Sequence, residues 1–488
     1  MRSLFWLILV TAIVMAPNLI FGQGYTHSGT YNYIWTSQFS EAIRAGTLYP
    51  RWLPHSFEGL GSPTFYFYPP LAYWLSGGIG AIGFTTLQAI TAAEFIVLLA
   101  SGVTMHLWLK GRSAYPLLGA ICYIVAPYHL LDLGVRGALA ELTAFLWFPL
   151  IALAIERLPT RNGIFLLTGS FAGLLLTHLP MAVLTGIFMI APLVFWRAKE
   201  DKSLWIPAAI SGALAIGLVA FYLLPALTLQ GHITTKLLWS PYYQPANWII
   251  FDRPDPTLGN VQLIGLGMLL ISLSTRSIWT GIAVVTGIAA IGLLPPLWLI
   301  PPLDKVQFPW RLLGVTEFVA ITAVFTAGKP LRLLFVLPGL GCLIIPYVLL
   351  MKQVHKHYEV PQHYEALTPR LPDAIEYLPN GFPYQGTIDN KRAPDLTAYK
   401  SLSRASVIEV PKAGAVTLGR AAFPIWRVER DGKVVPSTGP LIRFQATPGT
   451  YRIVRVRIWQ EIAGAIVSLI TLLAALLFWY VRRPRNTA

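Results

Sequence analysis

Twelve stretches of this chain are apolar for long enough to cross roughly 30 Å of hydrocarbon as a helix, and nothing else in the sequence constrains the fold as much. They fall at about 4–22, 87–109, 115–132, 139–156, 162–178, 180–196, 204–228, 259–274, 277–299, 311–327, 331–350 and 460–481. Lipid offers no partner to a backbone N–H or C=O, so segments of this kind must be helical. Composition agrees: 55% of the residues are hydrophobic and 12% charged, against roughly 25% charged in soluble domains. The expected class is a polytopic α-helical membrane protein of about 12 spans. Arg2 precedes the first run and Phe21-Gly22-Gln23 follow it, so a cleaved leader is the alternative there; the length of the run argues for a retained span.

Basic residues set the orientation. Lys110/Arg112, Arg157/Arg161, Arg197/Lys199/Lys202, Arg276, Lys329/Arg332 and Arg482/Arg483/Arg485 share one side if the spans alternate, and by the positive-inside rule that side is the cytoplasm. Pro69–Phe84 must then lie on or dip into the outer face without crossing, as its Pro69-Pro70 start and Gly77-Gly78 interruption imply. Three parts follow: membrane residues 1–350 with an outer loop 23–86, an extracytoplasmic mainly-β domain at 351–458, and a final span with a basic cytoplasmic tail at 459–488.

Polar residues in the outer segments are the candidates for a site, because loops carry chemistry on a rigid scaffold. In the first loop Tyr31, Trp35, Phe39 and Ile43 recur with helical period, while Asn32, Ser37, Ser40, Glu41 and Arg44 face elsewhere. That pattern predicts an amphipathic helix in the interface, ended by Gly46. Arg51, His55 and Glu58 follow within an aromatic and Pro-rich frame. Arg136–Glu141, His178 and Arg311 sit at the ends of later apolar runs, and Glu94 and Glu317 lie within them, where an ionisable group is usually paired or functional.

Glu41–Arg51, Gly59–Leu71, Val135–Glu141, Thr177-His178 and Gln307-Phe308-Pro309-Trp310-Arg311 together resemble the GT-C fold of polyprenyl-phosphate-dependent glycosyltransferases. More narrowly they are similar to the bacterial multispan proteins labelled "6-pyruvoyl-tetrahydropterin synthase-related", a label unconnected with pterin chemistry. The resemblance implies a membrane glycosyltransferase of the bacterial inner membrane that moves a sugar from a polyprenyl-phosphate donor to an extracytoplasmic acceptor. It also implies an acidic residue early in the first loop, in a Gly-His-Asp pattern. This chain has Thr26-His27-Ser28 there. His27 keeps the family's His, and Ser28, suited to N-capping the next helix, takes the place of the carboxylate. Glu41 or Glu58 is then the expected catalytic carboxylate, or else the chain is a catalytically silent relative that binds lipid-linked glycan or scaffolds an envelope assembly.

Sugar transfer of this kind needs a base for the acceptor hydroxyl and cations for the leaving phosphate. His27, Arg51, His55, Arg136, Glu141, His178 and Arg311 are the expected substrate-binding set, converging on one outer cleft walled by Trp52, Tyr66, Tyr68 and Trp310. For the three arginines, anchoring at the membrane interface is the competing role. For Glu141, stabilising a helix N-terminus competes with a site role. The chemistry admits a divalent metal, although no zinc spacing, Walker loop or Gly-x-Gly-x-x-Gly occurs.

The 351–458 segment reads mainly β at Val407–Val410, Ala415–Leu418, Ile425–Val435, Leu441–Ala446 and Thr450–Ile458, with Asp431-Gly432 as a hairpin signal. Phe423-Pro424-Ile425-Trp426 resembles the Phe-Pro-Gly-Trp stretch of β-sandwich domains in large GT-C-like proteins. Val454, Val456 and Ile458 alternate with Arg455 and Arg457, which predicts one apolar and one basic face. The net charge of +15 sits largely in topology-setting loops, so membrane lipids and lipid phosphates are the expected partners and nucleic acid is not.

Overall fold

A computed structural model describes residues 2–234, 237, 238, 240–248, 256–359, 373–382 and 397–481. The basic tail at Arg482/Arg483/Arg485 lies outside the described residues. The apolar runs are helical, and the chain is a multi-pass membrane protein. Among the described residues seven helices are long and apolar enough to cross a membrane: Arg2–Phe21, Thr86–Leu109, Pro116–Arg136, Leu139–Glu156, Leu179–Ala198, Leu333–Glu359 and Trp459–Tyr480. A helix pair, Lys202–Leu218 and Ala220–Thr228, is long and apolar enough when taken together and is bent by 73°. Four further helices, Arg161–Thr177, Pro256–Ser272, Ile278–Ala290 and Leu313–Phe325, have 17, 17, 13 and 13 residues. A 13-residue helix reaches only about 20 Å. Of the expected count of about 12 spans, seven have full-length helices among the described residues. The Leu333–Glu359 helix also runs past the expected domain boundary at 350.

The bend at 219–220 frees backbone groups of the helix, and two distant side chains take them up. Ser468 accepts from the Phe221 amide at 2.9 Å, and Arg51 donates to the Phe221 carbonyl at 2.9 Å. The final helix packs into the bend, with Gly464 lying against the Ala220 carbonyl.

Residues 23–85 form a layer of short helices over one end of the bundle. The predicted amphipathic helix is Gly29–Arg44, but its buried face is Asn32, Ile34, Trp35, Thr36, Gln38, Phe39 and Ser40. Asn32 and Ser40 thus face inward, because the helix packs on the Leu71–Ala81 helix as well as on the bundle. That 11-residue helix is too short to cross. Its small residues admit close approach: a Cβ on Gly77 would stand 2.5 Å from the Phe39 Cβ, and Thr36 and Ser76 hydroxyls bond at 2.8 Å. Gly77→Leu is expected to cost roughly 1–3 kcal/mol by overpacking, whereas Gly78→Leu, with open space around it, should be near neutral. Thermal unfolding in lipid nanodiscs compares the two.

The β domain has β1 Val407–Val410, β2 Gly414–Ala421, β3 Trp426–Arg430, β4 Lys433–Val435, β5 Leu441–Ala446 and β6 Gly449–Arg455. One sheet runs β1-β6-β3-β4 and the other pairs β2 with β5, all antiparallel. Leu418, Ile442 and Phe444 of one sheet share a core with Val410, Val428, Tyr451 and Ile453 of the other, giving a small sandwich. Asp431 and Gly432 take positive φ in the β3–β4 turn. The inward face of β6 is Tyr451 and Ile453, one register away from the predicted Val454–Val456–Ile458 face, because Ile453 opposes buried Val428. The domain joins the loop layer through the Ala421 amide, which donates to the Leu60 carbonyl at 2.7 Å.

Candidate functional site

Residues 26–32 and 135–137 are stitched together by backbone geometry. The His27 amide donates to the Val135 carbonyl (3.1 Å) and the Ser28 amide to the Arg136 carbonyl (2.9 Å), while Asn32 Nδ2 donates to the Gly137 carbonyl (2.7 Å). Tyr73 in turn donates to Asn32 Oδ1 at 2.8 Å. Gly137 sits at φ +59, and a Cβ there would be 2.1 Å from Thr26 Oγ1, so only glycine fits the stitch. Ser28 is the N-cap residue of its helix but makes no side-chain cap bond.

A π-turn at Asp132–Arg136 ends the preceding helix, a geometry frequent at functional sites. It turns Arg136 toward Glu141. Glu141 accepts from Tyr128 Oη (2.6 Å) and Arg136 Nη2 (2.9 Å), and Arg311 Nε lies 3.3 Å from the same Oε2. Arg136 Nη1 donates to Tyr128 Oη at 2.9 Å and to Asp132 Oδ1. Arg311 Nη1 is held by the Val306 carbonyl (2.8 Å) and Gln307 Oε1 (2.9 Å). Two guanidiniums and two carboxylates are thus packed together. Arg311 Nε is buried without a hydrogen bond, as is Asp132 Oδ2. His178 Nδ1 accepts from the Met181 amide at 3.2 Å, so the ring hydrogen sits on Nε2.

Arg136, Glu141, Arg311, His178 and His27 line a cavity of about 720 Å³. Tyr31, Tyr68, Tyr242, Tyr243, Trp248, Phe308 and Trp310 supply its aromatic wall. Phe308 and Trp310 stack with centroids 4.6 Å apart, and Trp248 meets Trp310 edge-on at 5.0 Å.

The remaining expected site residues are elsewhere. Glu41 and His55 pair with each other at 3.2 Å on the exposed surface. Glu58 lies 3.5 Å from Lys400. Arg51 is buried among Tyr49, Tyr66 and Glu461 and serves the bent helix. Trp52 and Tyr66 pack on Phe423, and Trp52 also meets Trp426. The expected single cleft is therefore corrected: Glu41, Glu58, Arg51 and His55 do not reach it, since partners from the β domain, the final helix or their own loop hold them.

Two carboxylates that sequence reasoning passed over come from the connector before the β domain. Asp373 accepts from Trp35 Nε1 (2.7 Å), Ser56 Oγ (2.6 Å) and the Ala374 amide (2.6 Å). Burial pushes its carboxyl up from the usual range. One short turn later Glu376 lines the cavity, and burial, with Asp373 adding to it, pushes its carboxyl up to about 7. The Asp373-Ala374-Ile375-Glu376-Tyr377 string carries no local signal of this, because its surroundings come from residues hundreds of positions away.

Among the described residues no group of three or more His, Cys, Asp or Glu side chains could hold a metal ion. The cations at the cavity are guanidiniums.

No protein-family model and no curated protein matches the chain. Among solved structures it is similar to the arabinofuranosyltransferase AftD from Mycobacteria, determined by single-particle cryo-EM, at 16% identity and a TM-score of 0.43, over 73% of this chain and 27% of that one. A mutant of the same enzyme gives 16% identity and a TM-score of 0.42, over 79% and 30%. The chain spans less than a third of the length of those structures. At these values the likeness assigns neither fold family nor activity, and the functional reading rests on the cavity itself.

Proposed function

We propose that this chain is a GT-C-type membrane glycosyltransferase that takes a sugar from a polyprenyl-phosphate donor and passes it to an acceptor on the outer side of a bacterial inner membrane. The observation that carries this reading is the pairing of Arg136 and Arg311 around Glu141 at the floor of an aromatic-walled cavity. Glu141 holds two guanidiniums at fixed positions, and both line the cavity, so their positive charge faces an anion bound there. His178 Nε2–H is a further donor. These groups stabilise negative charge as the phosphate leaves, and the aromatic wall suits a sugar face or the first prenyl units. The motifs that resemble the family support the same reading, since Val135–Glu141, Thr177-His178 and Gln307–Arg311 all contribute to this cavity. On this reading the β sandwich and the loop layer face the envelope side.

A silent, glycan-binding relative is the second reading, favoured by Ser28, which lines the cavity where a carboxylate is expected. Binding of decaprenyl phosphate to the full-length protein in nanodiscs tests the shared part. Arg311→Gln is expected to weaken it about 10- to 100-fold, the worth of one charged hydrogen bond. Equal affinity in the variant and the wild type would reject the site. Release of labelled sugar to an acceptor separates the enzyme from the silent binder.

A further inference from the structure

Two carboxylates line the cavity among the described residues, Glu141 and Glu376. Their surroundings differ in kind. Glu141 accepts from Tyr128 and Arg136 and faces Arg311, so every oxygen is engaged and its charge is committed to holding cations. It has no capacity to take a proton without releasing them. Glu376 makes no hydrogen bond or ion pair to another side chain among the described residues; its one internal partner is its own amide. A carboxylate kept for structure would be tied down, as Asp373 is, because a partly buried charge without a partner is costly.

The backbone of Glu376 is nevertheless fixed. Asp373 hooks the connector to Trp35 of the Gly29–Arg44 helix and to Ser56 of the loop layer. On the other side Tyr377 stacks on Phe67 at 5.7 Å, and the Thr234 amide donates to the Leu378 carbonyl at 2.9 Å. Glu376 is therefore an unengaged carboxylate on a pinned turn, facing the same cavity as Ser28 and the two guanidiniums.

We propose that Glu376, on the connector before the β domain, is the general base of sugar transfer. This rests on the glycosyltransferase reading. The acceptor O–H proton passes to a Glu376 oxygen as the acceptor oxygen bonds to the anomeric carbon. The bond from that carbon to the phosphate oxygen breaks, its electron pair stays on the phosphate, and polyprenyl phosphate leaves.

The groups around Glu376 fit that task. The phenols that feel its charge, Tyr31, Tyr68, Tyr243 and Tyr377, are all raised by burial and stay protonated at neutral pH, so they donate and do not compete for the proton. Asp373 is the neighbouring acid, and Arg311 acts on Tyr68, Tyr243 and Tyr377, joined by Arg136 at Tyr68. A carboxyl held up to about 7 is matched to a base working near neutral pH.

The test uses full-length protein in nanodiscs, with labelled decaprenyl-phosphate pentoses and hexoses as donors and decaprenyl phosphate as a binding probe. Glu376→Gln is expected to bind decaprenyl phosphate in an Arg311-dependent way, which shows that it is folded, and to lose transfer by about 10²- to 10⁴-fold. Glu376→Asp should recover part of the rate, and in the wild type kcat/KM should rise with pH through about 7, a limb absent from Glu376→Gln. Transfer by Glu376→Gln at the wild-type rate and pH profile overturns the assignment and leaves the glycosyltransferase reading standing. Binding of decaprenyl phosphate by the wild type without transfer from any donor overturns the assignment in favour of the silent binder. Loss of Arg311-dependent binding altogether overturns the reading and the base with it.

Discussion

Replacing Arg136 with alanine is expected to destabilise the protein by about 3–5 kcal/mol, the usual result of breaking a buried ion cluster from one side. Asp132 is fully buried, and Glu141 nearly so. With Arg136 gone, Asp132 loses the one side-chain partner found for it, and Glu141 keeps only Tyr128 and the off-line contact to Arg311. The effect exceeds that of an ordinary surface ion pair, worth about 0–1 kcal/mol, because the carboxylates left behind are buried. Arg136→Lys should restore little of it, since one ammonium cannot reproduce the fork that reaches Tyr128, Asp132 and Glu141 together. The double variant Asp132→Asn with Arg136→Gln should recover part of the loss by removing charge on both sides. Thermal unfolding in nanodiscs reads all three. If Arg136→Ala unfolds within about 0.5 kcal/mol of the wild type, as a surface substitution would, the cluster is not the keystone described here.

The helices were legible because hydrocarbon leaves a chain one choice, and twelve apolar runs announce it. Their full crossing was less legible, because runs such as Ile278–Ala290 and Leu313–Phe325 end at Gly, Pro or Thr before reaching full length. The sandwich strands could be read from alternation and from Asp431-Gly432, but the register of β6 is set by Ile453 against Val428 on another strand. In the cavity, Arg136, Glu141, His178 and Arg311 stood out because polar groups at the ends of apolar runs need partners. Glu41, Arg51 and Glu58 stood out for the same reason, and the partners that divert them, His55, Glu461 and Lys400, are not signalled by any local pattern. Asp373 and Glu376 were invisible because an acidic residue in a polar connector looks solvated until Trp35, 338 positions away in sequence, is found against it.

Glu376, the proposed base, is expected to burden the fold at neutral and alkaline pH. Its folded carboxyl titrates near 7 against 4.5 for the free group. Below about pH 4.5 the carboxyl is neutral in both states and contributes nothing. Between about 4.5 and 7 the unfolded chain has lost the proton while the folded one still holds it, so stability falls as pH rises. Above about 7 the full penalty is present, on the order of 1–3 kcal/mol. Glu376→Gln keeps the shape and removes the titration. Its stability relative to the wild type should therefore be near zero at pH 4, grow from pH 5 through 7, and level off by pH 8, the opposite of the pattern for a carboxylate that holds a salt bridge. A difference curve that is flat from pH 5 to 8 would mean that Glu376 is solvated like a surface acid. A difference that falls with pH would mean that an unrecognised cation stabilises its charge. Stabilisation of Glu376→Gln at pH 8 together with loss of transfer would be the signature of a carboxylate retained for chemistry at the expense of the fold.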